Sequence, residues 1–242
     1  SAVRDAANGA RLRERLSAAA GVRLGVLTPE REAALTYHAA RRWFGGDGPR
    51  LTTVDIGGGT IDVTSGVEAE PEDVVSLPLG AVRLTNRYLT EDPPRPHQVA
   101  DLAELVEREV SRSLRHYAGT PLGHTVALSK VLRQLAVLTA SNGDRVVRRP
   151  EQLVRDGLRS WVPRLSVLNR KQRAGLPGIS RSRARRILAG AILAVVILDT
   201  IGAETLSVCP WGLREGLAFR FADAYGRSIG DAVPAAVAEM FH

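Results

Sequence analysis

The sequence contains little of several residue types, and each scarcity narrows what the protein can be. A single cysteine, Cys209, excludes a disulfide framework and favours a reducing compartment such as the cytoplasm. Aromatic residues make up only 5% of the 242 residues, so no stacking platform for nucleic-acid bases is visible. The most apolar run, residues 187–198, is too short to span a bilayer, which predicts a buried helix rather than a membrane segment.

Acidic residues are missing from one long stretch of a chain whose net charge is +7. Between Gly157 and Leu198 there is no Asp or Glu, and the basic residues there are Arg159, Arg164, Arg170, Lys171, Arg173, Arg181, Arg183, Arg185 and Arg186. Such a stretch attracts polyanions, and a small phosphate-rich polymer or a nucleic acid would both fit. The scarcity of aromatic residues makes nucleic acid the weaker candidate. A solvated basic face is the plain alternative.

The spacing of apolar and turn-forming residues predicts an α/β or α+β protein, with strands early and helices late. A helix is expected up to Gly21, then a short strand over residues 22–27, then a helix capped by Thr28 with Pro29 at its first position. The other expected elements are strands over 50–56 and 60–67, an amphipathic helix over 99–117, and helices over 129–139, 150–161, 181–198 and 211–225.

Residues 55–62 read DIGGGTID, three glycines between two β-branched runs. Glycine permits a sharp turn and close approach to a ligand, and successive free amides form a concave nest for phosphate. The stretch lacks the Lys and Ser/Thr of a P-loop and the G-x-G-x-x-G spacing, and it predicts a hairpin that holds phosphate at its tip. Asp55, at the end of the first strand, is suited to hold Mg²⁺ beside that phosphate. A plain hairpin with a flexible turn is the alternative.

The DIGGGTID segment resembles the second phosphate loop of the actin-like ATPase superfamily, which includes chaperones, sugar kinases, filament proteins and phosphatases. Further segments are similar, in order and spacing, to the short actinobacterial type of the Ppx/GppA phosphatase family: SAVRDAANG, LTPEREAALTYHAA, SLPLGAVRLTNRYLTEDPP, and LPGISRSRARRILAGAIL followed by CPWGLREGL. The resemblance implies an α/β, actin-like (ribonuclease H-like) fold with one partial and one complete lobe. Residues 1–45 would belong to the first lobe, and residues 46–242 would form the second lobe with its helical C-terminal half.

The same resemblance implies an activity and its residues. The activity is Mg²⁺-dependent release of the terminal phosphate from inorganic polyphosphate or guanosine pentaphosphate, and the resemblance makes a homodimer the expected assembly. From composition, no membrane partner is expected, nucleic acid is an unlikely partner, and the cytoplasm is the expected compartment. The implied residues are Glu32 as catalytic base, Arg4, Gly57, Gly58, Gly59, Thr60, Ser129 and Lys130 as phosphate contacts, and Asp55 and Asp62 as the metal site. Without the resemblance, Glu30 and Glu32 fit equally well as first-turn acids that complement a helix dipole.

The chain also departs from the family pattern. Asp62 stands where the family usually has Glu, and Ala127 and Leu128 replace the Gly and Thr of its GTSK loop. Leu128 is expected to remove a hydroxyl donor and to add bulk beside the phosphate. If this segment is aligned differently with the family, Gly119 and Thr120 would form this loop instead. The family's first phosphate loop, of the type D-x-G-[ST]-x-S, is expected upstream of this chain. These departures favour a rival reading as a non-catalytic phosphate-binding module of the same fold; a chaperone or filament-forming ATPase is a second rival without sequence support.

Overall fold

The computed structural model describes residues 6–46, 48–141 and 146–225, and all structural statements concern these residues. The helices are α1 (Gly9–Ala20), α2 (Pro29–Trp43), α3 (Ala81–Tyr88), α4 (Pro96–Leu114), α5 (Lys130–Ala140), α6 (Arg155–Val167), α7 (Arg170–Arg173), α8 (Ile187–Ile201) and α9 (Leu213–Tyr225), with a 3₁₀ turn at Arg115–Tyr117. The strands are β1 (Leu51–Ile56), β2 (Ile61–Gly66), β3 (Asp73–Leu77), β4 (His124–Ala127), β5 (Gln152–Val154) and β6 (Thr205–Val208).

The strands form one mixed sheet in the order β3-β2-β1-β4-β6-β5. Strands β1, β2 and β3 pair antiparallel as a meander, β4 lies parallel to β1, β6 lies parallel to β4, and β5 pairs antiparallel with β6. The carboxyl ends of β1 and β4 therefore meet at the same edge of the sheet. In open α/β sheets this is the edge where ligands bind.

Helices cover both faces of the sheet. Helix α2 packs against β1, β2 and β3 on one face and against α9. On the other face α8 lies at the centre, in contact with α3, α4, α5 and α6. Because α8 is apolar on all sides and surrounded by other helices, most of its side chains are fully buried. This confirms that the apolar run at 187–198 forms a buried helix, and no helix among the described residues is long and apolar enough to cross a membrane.

Several local predictions are confirmed. Helix α1 ends at Gly21, which adopts a left-handed conformation with φ of 65°. Helix α2 begins after Thr28, whose side-chain oxygen accepts a hydrogen bond from the Arg31 amide at 3.3 Å, and Pro29 occupies its first turn. The two strands around the glycines are present as the β1–β2 hairpin. In α4, the expected apolar stripe is buried from Leu102 to Leu114.

Three element predictions are wrong in part or in full. Residues 22–27 form no strand, because no neighbouring strand among the described residues pairs with them and Val22 remains 59% exposed. The helix expected at 150–161 begins only at Arg155, because residues 152–154 pair with β6 as an edge strand. The helix expected from 181 begins at Ile187, because residues 180–186 form successive turns around Ser180, whose carbonyl accepts from the Arg183 amide at 2.9 Å.

Candidate functional site

The two aspartates of the glycine stretch face each other across the hairpin. Asp55 on β1 lies directly opposite Asp62 on β2 in the antiparallel register, so both side chains point to the same face of the sheet. Alternation along β1 puts Asp55 on the same face as Leu51, which packs beneath Tyr37 of α2. The pair of carboxylates therefore lies on the α2 side, at the carboxyl end of β1.

The pKa of Asp55 is strongly raised. Burial, then the neighbouring negative charges of Asp62 and Glu32, raise the pKa of Asp55 from 3.8 to about 7, while Arg133 opposes the shift. Glu32 reaches this neighbourhood because it lies in the first turn of α2, the helix that covers this face. Three carboxyl groups from α2, β1 and β2 thus converge, with a single guanidinium among the groups acting on Asp55.

Asp62 is held in place by hydroxyl groups. Ser76 on β3 donates a hydrogen bond from Oγ to Asp62 Oδ1 at 2.5 Å, and Thr60 donates from Oγ1 to Oδ2 at 3.4 Å. Ser76 can do so because it stands directly opposite Asp62 in the β2–β3 register. These bonds fix the orientation of Asp62 beside Asp55 and direct the Thr60 hydroxyl toward a carboxylate.

The glycine turn presents its carbonyl groups and its amides to opposite sides. The carbonyl oxygens of residues 57–59 accept hydrogen bonds of 2.9 to 3.1 Å from the amides of residues 80–83, at the start of α3. In a trans peptide the carbonyl and the following amide point in opposite directions, and these peptides are trans. The amides of Gly58, Gly59 and Thr60 therefore point away from α3, and they donate to no backbone group within the described residues. Three neighbouring free amides are the nest that the sequence predicts.

This docking of the turn on α3 depends on Gly80. A Cβ at position 80 would lie 2.3 Å from the carbonyl carbon and oxygen of Gly58 and from the Gly59 nitrogen, and backbone atoms cannot move aside cheaply. The φ of −67° at Gly80 is open to any residue, so the requirement for glycine is one of space alone.

We therefore expect Gly80→Ala to displace the glycine turn and to destabilise the fold by about 1–3 kcal/mol, the usual cost of overpacking. Urea unfolding measures the change. The matched control is Gly157→Ala in α6, where a Cβ would meet Thr139 at 3.4 Å and the helix would gain a better helix former. A Gly80→Ala protein as stable as the control would contradict this account of the turn.

A second set of free amides lies opposite the turn, at the start of α5. Ser129 caps this helix: its Oγ accepts from the Leu132 amide at 3.1 Å. The amides of Lys130 and Val131, in the first helical turn, have no intrahelical partner. With the positive end of the helix dipole behind them, they favour an anion at this point.

Gly58 of the glycine turn and the first residues of α5 line one cavity of about 270 Å³, which we call the glycine-turn cavity. Its lining residues are Asp55, Ile56, Gly57, Gly58, Ser129, Lys130, Val131, Arg183 and Arg186. Burial and the charge of Arg183 lower the pKa of Arg186, whose Nε is buried with no hydrogen-bond partner among the described residues. Three cationic residues, Lys130, Arg183 and Arg186, thus line the same cavity as Asp55, an arrangement suited to a multiply charged phosphate.

The residues expected at the site fall into three groups. Asp55, Gly57, Gly58, Ser129 and Lys130 line the glycine-turn cavity. Glu32 and Asp62 lie close enough to act on Asp55. Gly59 and Thr60 belong to the turn, where Gly59 accepts from Gly80 and Thr60 donates to Asp62. Arg4 lies outside the described residues.

The packing shows where the residues of the ALSK segment that depart from the family pattern lie. Leu128 is buried in a small core cluster with Tyr37, Leu51 and Cys209, and it does not line the glycine-turn cavity. The expectation that Leu128 adds bulk beside the phosphate is therefore wrong, because alternation along the chain after β4 turns its side chain under α2. Gly119 and Thr120 precede β4 and lie at the opposite edge of the sheet. The alternative alignment, in which these two residues form the phosphate loop, therefore brings neither of them to the cavity.

Sequence reasoning missed Arg133 and Ser76, and it named Arg183 and Arg186 only as members of the acid-free basic stretch. The acid-free run pointed to a polyanion but could not say which of its arginines face the cavity, because residues 180–186 form irregular turns without a helical period. Arg133 follows the GTSK-like segment by one turn of α5, and Ser76 is identified only by strand register. No sequence signal distinguished either residue from its neighbours.

Comparison with known proteins identifies the family of this chain. The family model described as the Ppx/GppA phosphatase family matches residues 1–224. The chain belongs to the Ppx/GppA phosphatase family. Exopolyphosphatase 1 of Mycobacterium leprae is 41% identical over 227 residues, which cover 93% of this chain and 67% of that protein. Exopolyphosphatase 1 of Mycobacterium tuberculosis is 41% identical over 230 residues, which cover 93% and 66%. The chain thus spans about two thirds of the length of these relatives.

Solved structures of Ppx/GppA proteins share the fold. The family member from Aquifex aeolicus superposes with a TM-score of 0.77 at 26% identity, over 94% of this chain and 73% of that one. The exopolyphosphatase from Cytophaga hutchinsonii superposes with a TM-score of 0.75 at 19% identity, over 95% and 74%, and shows the likeness of fold alone. The expected α/β, actin-like ATPase fold is confirmed.

Proposed function

We propose that this Ppx/GppA family member is a cytoplasmic, Mg²⁺-dependent phosphohydrolase that releases the terminal phosphate of inorganic polyphosphate or guanosine pentaphosphate. The observation that carries the proposal is the glycine-turn cavity, which is lined by Asp55, by backbone of the glycine turn and of the start of α5, and by three cationic residues. Phosphoryl transfer needs this pairing, with donors for the phosphoryl oxygens on one side and acidic groups for metal and water on the other. The names of the 41% identical relatives, exopolyphosphatase 1, agree with it.

The phosphate would be bound from two directions. The amide of Gly58 and the start of α5 would supply fixed donors, and Lys130, Arg183 and Arg186 would supply charge. Donors held by the backbone need no rearrangement as charge builds up on the transferred group, which is why such sites stabilise transition states well.

The acidic side fits a magnesium ion. Mg²⁺ keeps several waters and binds proteins through one or two carboxylates plus substrate phosphate. Asp55 offers hard oxygen donors at the cavity wall, and its raised pKa shows that protein groups compensate its charge poorly. Among the described residues no group of three His, Cys, Asp or Glu side chains could hold a metal ion by itself. Asp55 would hold the ion and Asp62 would support it; when bound, the ion neutralises charge on the phosphate oxygens.

Glu32 would act as the base. It belongs to the first turn of α2 and lies close enough to Asp55 to raise the pKa of that group, and in this proposal it activates a water beside the Asp55 pair. In this role the carboxylate takes a proton from the water as its oxygen attacks the terminal phosphorus, and the bridging oxygen leaves with the remaining chain.

The rival reading, a phosphate-binding module without activity, loses part of its support. It rested in part on Leu128, whose side chain is buried under α2 instead of entering the cavity. Asp62 keeps a carboxylate opposite Asp55, although one methylene shorter than the family's usual Glu.

Phosphate release tests the proposal. The purified protein is incubated with polyphosphate, guanosine pentaphosphate or ATP, with Mg²⁺ or with EDTA, and Glu32→Gln protein prepared in parallel serves as the blank. We expect Mg²⁺-dependent release from at least one of the first two substrates, above the blank. Binding of polyphosphate without release would leave the non-catalytic module, and release from ATP alone would indicate an ATPase.

A further inference from the structure

Helix α8 contains a single glycine, Gly190, which is buried in the first turn of the helix. A glycine inside a helix costs roughly 1 kcal/mol relative to alanine, because the unfolded chain has more conformational freedom to lose. The backbone at Gly190 is not left-handed, so any residue could adopt it. The reason for a glycine at this position is therefore one of space.

The space beside Gly190 is filled by Val131 of α5. A Cβ at position 190 would lie 2.4 Å from Val131 Cγ1. Carbon atoms in ordinary contact are about 3.5–4.0 Å apart, so this methyl group would have to retreat by about 1 Å. Valine in a helix has one strongly preferred rotamer, and its side chain cannot easily turn aside. The displacement would therefore pass to the backbone at the start of α5.

The contact between Gly190 and Val131 lies beside the glycine-turn cavity. Val131 lines this cavity, and its amide is one of the two in the first turn of α5 that have no intrahelical partner. Arg186, which lies directly before α8 and one turn from Gly190, lines the same cavity. The first turns of two helices thus meet at this point, with the positive ends of both helix dipoles near the cavity.

We propose that Gly190 is a positioning residue for phosphate binding. Its missing side chain lets the start of α5 pack closely on α8, and this packing sets the position of the Val131 amide in the glycine-turn cavity. The inference rests on the proposed function and adds a residue that acts on the phosphate only through α5. Donors fixed by the backbone help only at the correct distance, and a misplacement of 1 Å can lower a rate by about 10²-fold.

The test is a rescue experiment in the full chain. Gly190→Ala introduces the Cβ, and Val131→Ala/Gly190→Ala also removes the Cγ1 methyl group that this Cβ would meet. The next atom, Val131 Cβ, is 3.8 Å away, which is ordinary contact. Val110→Ala controls for lost stability, because it truncates a fully buried side chain of α4, a helix that contributes no residue to the cavity.

Three quantities are measured for each variant. Calorimetry gives the dissociation constant of tripolyphosphate in the Glu32→Gln background with Mg²⁺. Steady-state assays of phosphate release give kcat and KM with Glu32 intact. Urea unfolding gives the stability, so that binding and release are compared at a temperature where every variant is folded.

We expect Gly190→Ala to weaken tripolyphosphate binding by about tenfold and to raise KM by a similar factor, because one donor of the cavity is displaced. The double variant should bind within about twofold of wild type, since the exchange conserves volume. Val110→Ala should lose stability and keep its affinity.

A double variant that binds as weakly as Gly190→Ala would overturn the inference. Equal losses of affinity in Gly190→Ala and Val110→Ala, or unchanged affinity in Gly190→Ala, would also overturn it. If binding follows the expected pattern and no protein releases phosphate, the proposed hydrolysis fails while the positioning role of Gly190 stands.

Discussion

Glu32→Gln is expected to lower the rate of phosphate release by about 10²- to 10⁴-fold, the contribution typical of a positioned general base. Glutamine keeps the shape of the side chain and loses its ability to take a proton. The fold should survive, because the hydrogen bonds that tie this residue into α2 come from its backbone: its amide donates to Thr28 at 3.0 Å and its carbonyl accepts from Thr36 Oγ1 at 2.9 Å. The KM should change little, since Glu32 does not line the cavity.

Glu30→Gln is the matched control. Glu30 lies in the same first turn of α2 and complements the same helix dipole, but it is exposed and does not act on Asp55. It should retain the wild-type rate in steady-state assays of phosphate release. If both variants lose the same small fraction of activity, Glu32 serves the helix dipole only, and the base lies elsewhere.

Asp55→Asn is expected to abolish Mg²⁺-dependent release and, at the same time, to stabilise the metal-free protein at pH 8. The folded protein keeps the Asp55 proton up to a pKa of about 7, whereas the unfolded chain releases it near 3.8. Between these values the folded state holds more protons than the unfolded state, so rising pH lowers the free energy of unfolding. Asparagine has no proton to lose, and the variant should gain on the order of 4 kcal/mol over wild type at pH 8.

Urea unfolding in EDTA at a series of pH values from 4 to 8 measures this effect as the difference in the free energy of unfolding between variant and wild type. The difference should be small at pH 4, grow until about pH 7 and change little above it, and it should shrink when Mg²⁺ is added, because only the wild-type site binds the ion. Asp101→Asn, at an exposed position of α4, should follow wild type throughout. An Asp55→Asn protein that is less stable than wild type at pH 8 would show that the carboxylate is well compensated and unsuited to the proposed metal site.

Much of the candidate site could be predicted from residues close together in the sequence. The DIGGGTID hairpin follows from β-branched runs around glycines, and the start of α2 at Thr28 and Pro29 follows from capping chemistry. Both depend on interactions within a few residues. The strand expected at 22–27 was wrong for the same physical reason, since a strand needs a partner that local pattern does not supply.

Other features depend on contacts between distant segments. Gly80 is required because α3 meets the glycine turn, and Arg183 and Arg186 join the site because irregular turns place them beside the start of α5. From the sequence alone, Leu128 could be interpreted as an obstruction in the phosphate site. In the structure, the alternation of side chains after β4 places it in the core.

The sequence by itself determined the family, the hairpin with its glycines, and the identity of Asp55 as the acid at its end. Only the tertiary structure decided which charges come together: Asp62 and Glu32 near Asp55, and Lys130 with two arginines in the lining of the same cavity. The reason is that a turn is encoded by the conformational preferences of its own residues, whereas an electrostatic site arises where packing brings separate segments within reach of one another.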